Sequence, residues 1–329
     1  MDQGSFSSWA RAAQVLHSAP SYDVVSSFSP ETEKAMYRII TRRLSRPAFY
    51  QERGRFTAST TTQVHWRHTF YGGFVTVCKD SDAVDAHDVE SALDTLSVQG
   101  PRIYTPLSSE DSPEEEWRKR YRGGVDDIIK YAFSVKEDHT CATIFDAAVR
   151  LRVPIPPPKG FNPNTVADVL VTTSPKSIKP RGPSPNEYYW QGLPDLGVSV
   201  SLIGFAVQYE VFDARSGSDN RWLLAILATA QSQRRALGLP DRMIYGASVS
   251  SGRCWIYASC WSKVNRIDRI LVGNMQHLLL LWQPYDIVRW YVFLSKVHTT
   301  IKEMEVEFDQ YAATGKLGGT VAWRAPDVK

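Results

Sequence analysis

Residues 198–212, VSVSLIGFAVQYEVF, decide the fold. The run is apolar and β-branched, the composition of one long buried strand or two short ones. A helix follows at 219–237, where Leu223, Ile226, Leu227, Ala230 and Leu237 keep one apolar face, and Gly238 with Pro240 stops it. Residues 243–249 and 253–260 then read as a hairpin across Ser250, Ser251 and Gly252. Upstream, residues 166–171 (VADVLV) make another apolar strand. Before that, a helix starts at Ser112: the serine caps, Pro113 suits the first helical position and Glu115 completes a capping box. It runs to about Phe133 with Trp117, Tyr121, Val125, Ile128 and Phe133 on one side, and Gly123-Gly124 weakens it by roughly 1 kcal/mol per glycine. Helix, strand, strand, helix, hairpin is the order of an α/β core.

The rest of the chain decorates that core. Residues 1–28 are Ser-rich and weakly patterned, a loose lead-in. A helix fits 30–44, and the β-branched and aromatic content of 49–77 argues strands broken at Gly72-Gly73. The stretch 80–94 is a solvated acidic face, while 153–163 (VPIPPPKGFNP) is a connector and 174–186 a surface loop. Residues 263–312 read as mostly helical. The expected organisation is one compact domain with an N-terminal β-rich part over 1–109, a core over 110–262 and a C-terminal helical segment with a tail over 263–329.

Composition excludes several function classes. In 329 residues, 38 Lys+Arg against 35 Asp+Glu give a net charge of +3, so any nucleic-acid surface must be a local patch. Cys78, Cys141, Cys254 and Cys260 lack the paired spacing of a zinc site or redox dithiol, and His65 and His68 have no second ligand pair. The N-terminal residues lack the apolar core of a secretory signal, and the longest apolar run, 278–282, is far short of the ~20 residues of a membrane span. A soluble cytoplasmic protein is expected.

Asp168 and Glu210 are chemically odd. Each has apolar neighbours in a strand, where a carboxylate is disfavoured unless a cation, a metal or a hydrogen-bond network accepts it. Each is either on the solvated face of an edge strand or, with Glu116 of the preceding helix, part of one site.

The series Glu115-Glu116-Trp117, VADVLV, FAVQYEV, LLAILATAQSQRRALGL and MIYGASVSSGRCWIY resembles the PD-(D/E)XK nuclease-like domain of fungal proteins over roughly 110–262. The resemblance implies a mixed sheet flanked by helices, and a helix glutamate, a strand aspartate and an acidic-x-Lys motif that gather a divalent metal and a water. Carried over, the catalytic candidates are Glu116, Asp168 and Glu210. The motif lysine falls at position 212, where this chain has Phe212. That lysine helps orient and activate the attacking water and neutralise phosphate charge. Arg234 or Arg235 is the expected migrated cation, but arginine stays protonated and is no base.

Two carboxylates without their lysine make an anionic pocket that matches a guanidinium fork. The chain is also similar to the arginine-containing cyclodipeptide synthases among these fungal proteins, which implies secondary metabolism: arginyl-tRNA and a second aminoacyl-tRNA become a cyclic dipeptide. Substrate-binding candidates are Arg42, Arg43 and Arg46, within an arginine-rich run interleaved with Phe49 and Tyr50, together with Gln231 and Arg234. The run at 118–122 (RKRYR) is a second basic path for tRNA, and Ser250 and Ser251 are acyl-acceptor candidates. No cofactor or metal is expected for a synthase. Magnesium enters if the chain is instead a nuclease, and a non-catalytic nucleic-acid-binding protein is the third reading.

Overall fold

The central strands are buried on both faces, which requires a sheet covered by helices on each side. The computed structural model describes residues 8, 10–11, 15–17, 69–70, 86–104, 114–134, 141–151, 164–173, 201–209, 220–250, 252–264 and 266–314. These form β1 (Val15–His17), α1 (Ala86–Tyr104), α2 (Glu114–Ser134), β2 (Cys141–Arg150), β3 (Asn164–Thr173), β4 (Leu202–Tyr209), α3 (Arg221–Ala236), β5 (Ile244–Ser250), β6 (Arg253–Val264), β7 (Ile267–Leu280) and α4 (Pro284–Ala313). The seven strands make one mixed sheet in the order β1-β7-β6-β5-β4-β3-β2.

Strands β2, β3 and β4 form an antiparallel meander, with Val169 opposite both Phe145 and Val207. The chain then crosses through α3 to β5, which runs parallel to β4 with Val207 beside Ala247. Strands β5, β6 and β7 are antiparallel neighbours, and β1 closes the edge parallel to β7 with Val15 beside Ile270. All seven β5 residues are buried, so this strand is the middle of the core.

One face of the sheet packs Val169, Val171, Phe205, Val207, Tyr245, Ala247 and Val249 under α1, α2 and α4. The other packs Leu170, Ala206 and Ile244 against Leu223, Ile226, Leu227 and Ala230 of α3. Gly246 permits that approach: a Cβ there would lie 2.9 Å from Leu223 Cδ1 and 3.1 Å from the Ala206 carbonyl. The weak pair in α2 has a similar use, since a Cβ on Gly124 would lie 2.8 Å from Ile103 Cγ1 of α1. The helix gives up propensity and gains a close neighbour.

Five expectations need correction. Residues 267–280 are a strand, not helix: Leu271 and Leu279 enter the core under α4 while Ile270 and Val272 enter that under α3, a period of two hidden by the Leu278–Leu281 run. The lead-in contains β1, because its three residues find an edge strand to pair with. Thr69 and Phe70 are helical rather than extended, and Phe70 is fully buried beside α1 residues Ala92, Leu93 and Leu96 in the same core. Strand β2 was not expected, and Ser250 ends β5 rather than standing in a turn. The helix at 30–44, the loop at 174–186, the connector, Cys78, His65, His68 and Ser251 lie outside the described residues, as does 49–77 apart from Thr69 and Phe70.

Candidate functional site

Parallel β4 and β5 with a crossover helix put their carboxyl ends, the start of α3 and the first half of antiparallel β3 at one edge of the sheet. Such edges are where open α/β sheets bind ligands. Asp168 lies there. Its Oδ2 accepts hydrogen bonds from Gln208 Nε2 at 2.5 Å and from the Tyr209 backbone N–H at 2.8 Å. Its Oδ1 is 3.2 Å from Arg122 Nη1.

Arg122 comes from α2 and gathers two further aspartates. Its Nη2 donates to Asp146 Oδ1 at 2.7 Å, and its Nε is 3.6 Å from Asp126 Oδ2, one helical turn on. The guanidinium carbon is 4.9 Å from the ring centre of Tyr209, whose hydroxyl donates to Asp126 Oδ1 at 2.6 Å. Among the described residues three carboxylates thus surround one guanidinium, a formal excess of two negative charges.

Asp146 reaches this position through unusual backbone. Residues 145 and 147 keep their β3 partners 169 and 167, but the ladder skips Asp146, whose φ is 49°. Asp146 and Asp168, two carboxylates on neighbouring strands that reach one guanidinium, repel, and a left-handed non-glycine residue adds about 1–3 kcal/mol of strain. Arg122 between them offsets the repulsion.

Burial shapes the charges. Desolvation raises the pKa of Asp168 despite the Tyr209 N–H and Arg122, which pull it down. Asp126 is raised by the same cause, against the Tyr209 hydroxyl and Arg122. For Arg122 burial acts to lower the value, but the Asp146 hydrogen bond and the charges of Asp168, Asp146 and Asp126 raise it overall. The arrangement is a fixed cation in a carboxylate-rich setting, with two acids less acidic than usual.

The other candidates fall in different places. Glu116 is on the first turn of α2, and Arg118, Lys119 and Arg120 follow it in the same helix. Glu210, Phe212, Arg42, Arg43 and Arg46 lie outside the described residues. Gln231 is buried in α3 and donates to the carbonyls of Arg242 and Ser259 at 2.8 and 2.7 Å. Arg234 is 1% exposed and pairs with Glu307 of α4 at 2.7 Å.

The expected cation is corrected. Arg234 and Arg235 occupy the last turn of α3, at the opposite end of the crossover from Asp168. Arg235 is tied to Asp241 and Asp268 and lies 3.8 Å over the Trp261 ring. Arg122 supplies the charge instead. The spacing Arg122 to Asp126 was a legible signal, as was Asp146, which sits among apolar residues just as Asp168 does.

Among the described residues, no group of three or more His, Cys, Asp or Glu converges so as to hold a metal ion. The Arg122 guanidinium already holds the place of a cation among Asp126, Asp146 and Asp168, so the described residues do not fit a magnesium site. Among the described residues no helix is long and apolar enough to cross a membrane. Compared with known proteins, the chain matches no family model and no curated sequence. Fold and site define an α/β protein with a mixed seven-stranded sheet and an aspartate–arginine cluster at its edge.

Proposed function

We propose that this chain is an aminoacyl-tRNA-dependent cyclodipeptide synthase that incorporates arginine, on a degenerate nuclease-like core. The observation that carries the reading is the carboxylate excess around Arg122, which suits a cationic substrate and opposes a bare polyanion. The order α2-β2-β3-β4-α3-β5, with Asp168 on the second strand of the meander, supports the nuclease-like ancestry.

In the reaction the α-amine of one aminoacyl ester attacks the carbonyl of the other. The first tRNA leaves as its ribose hydroxyl. The second amine then closes the ring and releases the second tRNA, so two amide bonds form and two ester bonds break. A carboxylate with a raised pKa is a better acceptor for an ammonium proton than an ordinary one, and Asp168 has that property. Arg122 stays protonated throughout; its part is to hold Asp126, Asp146 and Asp168 together. The activity belongs in the cytoplasm, where charged tRNA is made.

Hydrolysis of plain phosphodiesters is disfavoured by the same residues. Phe212 replaces the motif lysine, and the cation beside Asp168 is an arginine that no base can deprotonate.

The test is incubation of purified protein with arginyl-tRNA and a mixture of other aminoacyl-tRNAs, followed by mass spectrometry. A cyclic dipeptide containing arginine is expected. Its absence while the tRNAs remain charged overturns the reading in favour of a binding protein, and Asp168-dependent cleavage of DNA with magnesium overturns it in favour of a nuclease. Neutralising Arg42, Arg43 and Arg46 together is expected to weaken tRNA use and flatten its salt dependence.

A further inference from the structure

Beside the aspartate cluster, three buried polar atoms have no hydrogen-bond partner: Gln208 Oε1, Ser248 Oγ and Ser250 Oγ. Gln208 and Ser248 are register partners on parallel β4 and β5, and Ser250 is two positions further along the same face. That face is the α3 side, since Gly246 in the same alternation meets Leu223 and Leu227. Ser248 and Ser250 are 0% and 2% exposed. Leaving such atoms unpaired costs about 1–3 kcal/mol each.

The polarity of this patch is fixed. A carboxylate only accepts, so the Gln208 nitrogen faces Asp168 and its oxygen is turned away as an acceptor. Serine hydroxyls accept as readily as they donate. Extending the registers gives one row across three strands, Gln208, Ser248 and the half-buried Trp255 of β6, with the Asp168 carboxylate hydrogen-bonded at its Gln208 end. It runs from that carboxylate through an amide oxygen and a hydroxyl to an aromatic ring. A planar cation with several N–H donors matches that sequence, donating hydrogen bonds to the neutral acceptors, with the carboxylate's field at one end and a ring at the other.

We propose that Gln208, Ser248 and Ser250 form the subsite that receives the guanidinium of the arginyl substrate. This assignment rests on the synthase reading for the identity of the ligand. It also separates two roles: the Asp168 oxygens are occupied within the protein, so selection of arginine falls to the acceptors beside it.

The experiment measures binding of arginine methyl ester to the full chain by calorimetry, with citrulline methyl ester as the neutral isostere. Arginine ester is expected to bind at least tenfold more tightly than citrulline ester. Ser248→Ala, Ser250→Ala and Gln208→Leu are each expected to weaken it about tenfold, the loss of one hydrogen bond to a charged group. Melting temperature supplies a second readout. Removing an unpartnered hydroxyl is expected to leave the free protein as stable as before or more so, whereas a hydroxyl used structurally would lower it. Undiminished binding in all three variants, or none in the wild type, overturns the subsite and leaves the hydroxyls to buried water. Arginine-ester binding that depends on these residues, without any cyclic dipeptide from charged tRNA, would sink the synthase reading and keep the subsite. Cyclic dipeptides made by the variants with unchanged arginine preference would do the reverse.

Discussion

Two arginines, Arg122 and Arg234, show how differently one side chain can be used at opposite ends of the same crossover. Arg234 is almost fully buried with a single carboxylate, Glu307, and the Pro240 carbonyl on Nη2, while its Nε and Nη1 have no partner. Burial lowers its pKa. Arg122 is one-third exposed with three carboxylates, and its pKa is raised. The first is a brace, short of acceptors and shut from water. The second has more charge around it than it can neutralise and is open to a visitor. Acceptor excess with solvent access, rather than the presence of an ion pair, separates a candidate site from a structural tie.

Breaking the brace gives the largest expected effect. Arg234→Ala leaves Glu307 to Arg242, itself held by Glu303, and is expected to cost about 3–5 kcal/mol in urea unfolding. Arg122→Ala is expected to cost about 1–2 kcal/mol, because water can reach the freed carboxylates. Equal losses at the two positions would erase the contrast. Arg122→Lys sharpens it: one ammonium cannot bond Asp146 and Asp168 as a fork, so less than half the loss is expected to return.

Gly124→Ala tests a smaller matter, whether the α1–α2 approach outweighs helix propensity. The added methyl meets Ile103, and a net loss of about 1 kcal/mol is expected in thermal unfolding where propensity alone would give a gain. The smallest effect is in pH dependence. Asp126 and Asp168 have raised folded values, so the folded state holds more protons than the unfolded one. Their contribution is greatest below the ordinary aspartate range and falls as pH rises through the folded values. Asp168→Asn is expected to flatten that decline in a series of melting curves, and a steeper decline would contradict the desolvation argument.

Local pattern carried most of the fold. Helix α3 was legible from its apolar spacing and its Gly238-Pro240 stop, and α2 from the Ser112-Pro113 start. Strand β7 was not, because its two-residue period is masked by Leu278 to Leu281, a run apolar on every side. Strand β1 is too short to carry any signal of its own and exists through its partner. At the site, Asp168 announced itself by being acidic inside an apolar strand. Asp146 did so by the same rule, but β2 had not been recognised as a strand. Ser248 and Ser250 carried no signal, since an unpaired hydroxyl is a property of the packed protein alone.

Strand β1 has a consequence for how the chain is made. Val15 pairs with Ile270, so β1 can find its place only after about 250 further residues have been made. At about 5–20 residues per second, the N-terminal strand waits on the order of tens of seconds outside the ribosome without its neighbour. Completion of the sheet therefore waits until β7 has been made. A ribosome stalled before β7 would hold a nascent chain whose central strands are ready to pair but whose β6 edge is still open.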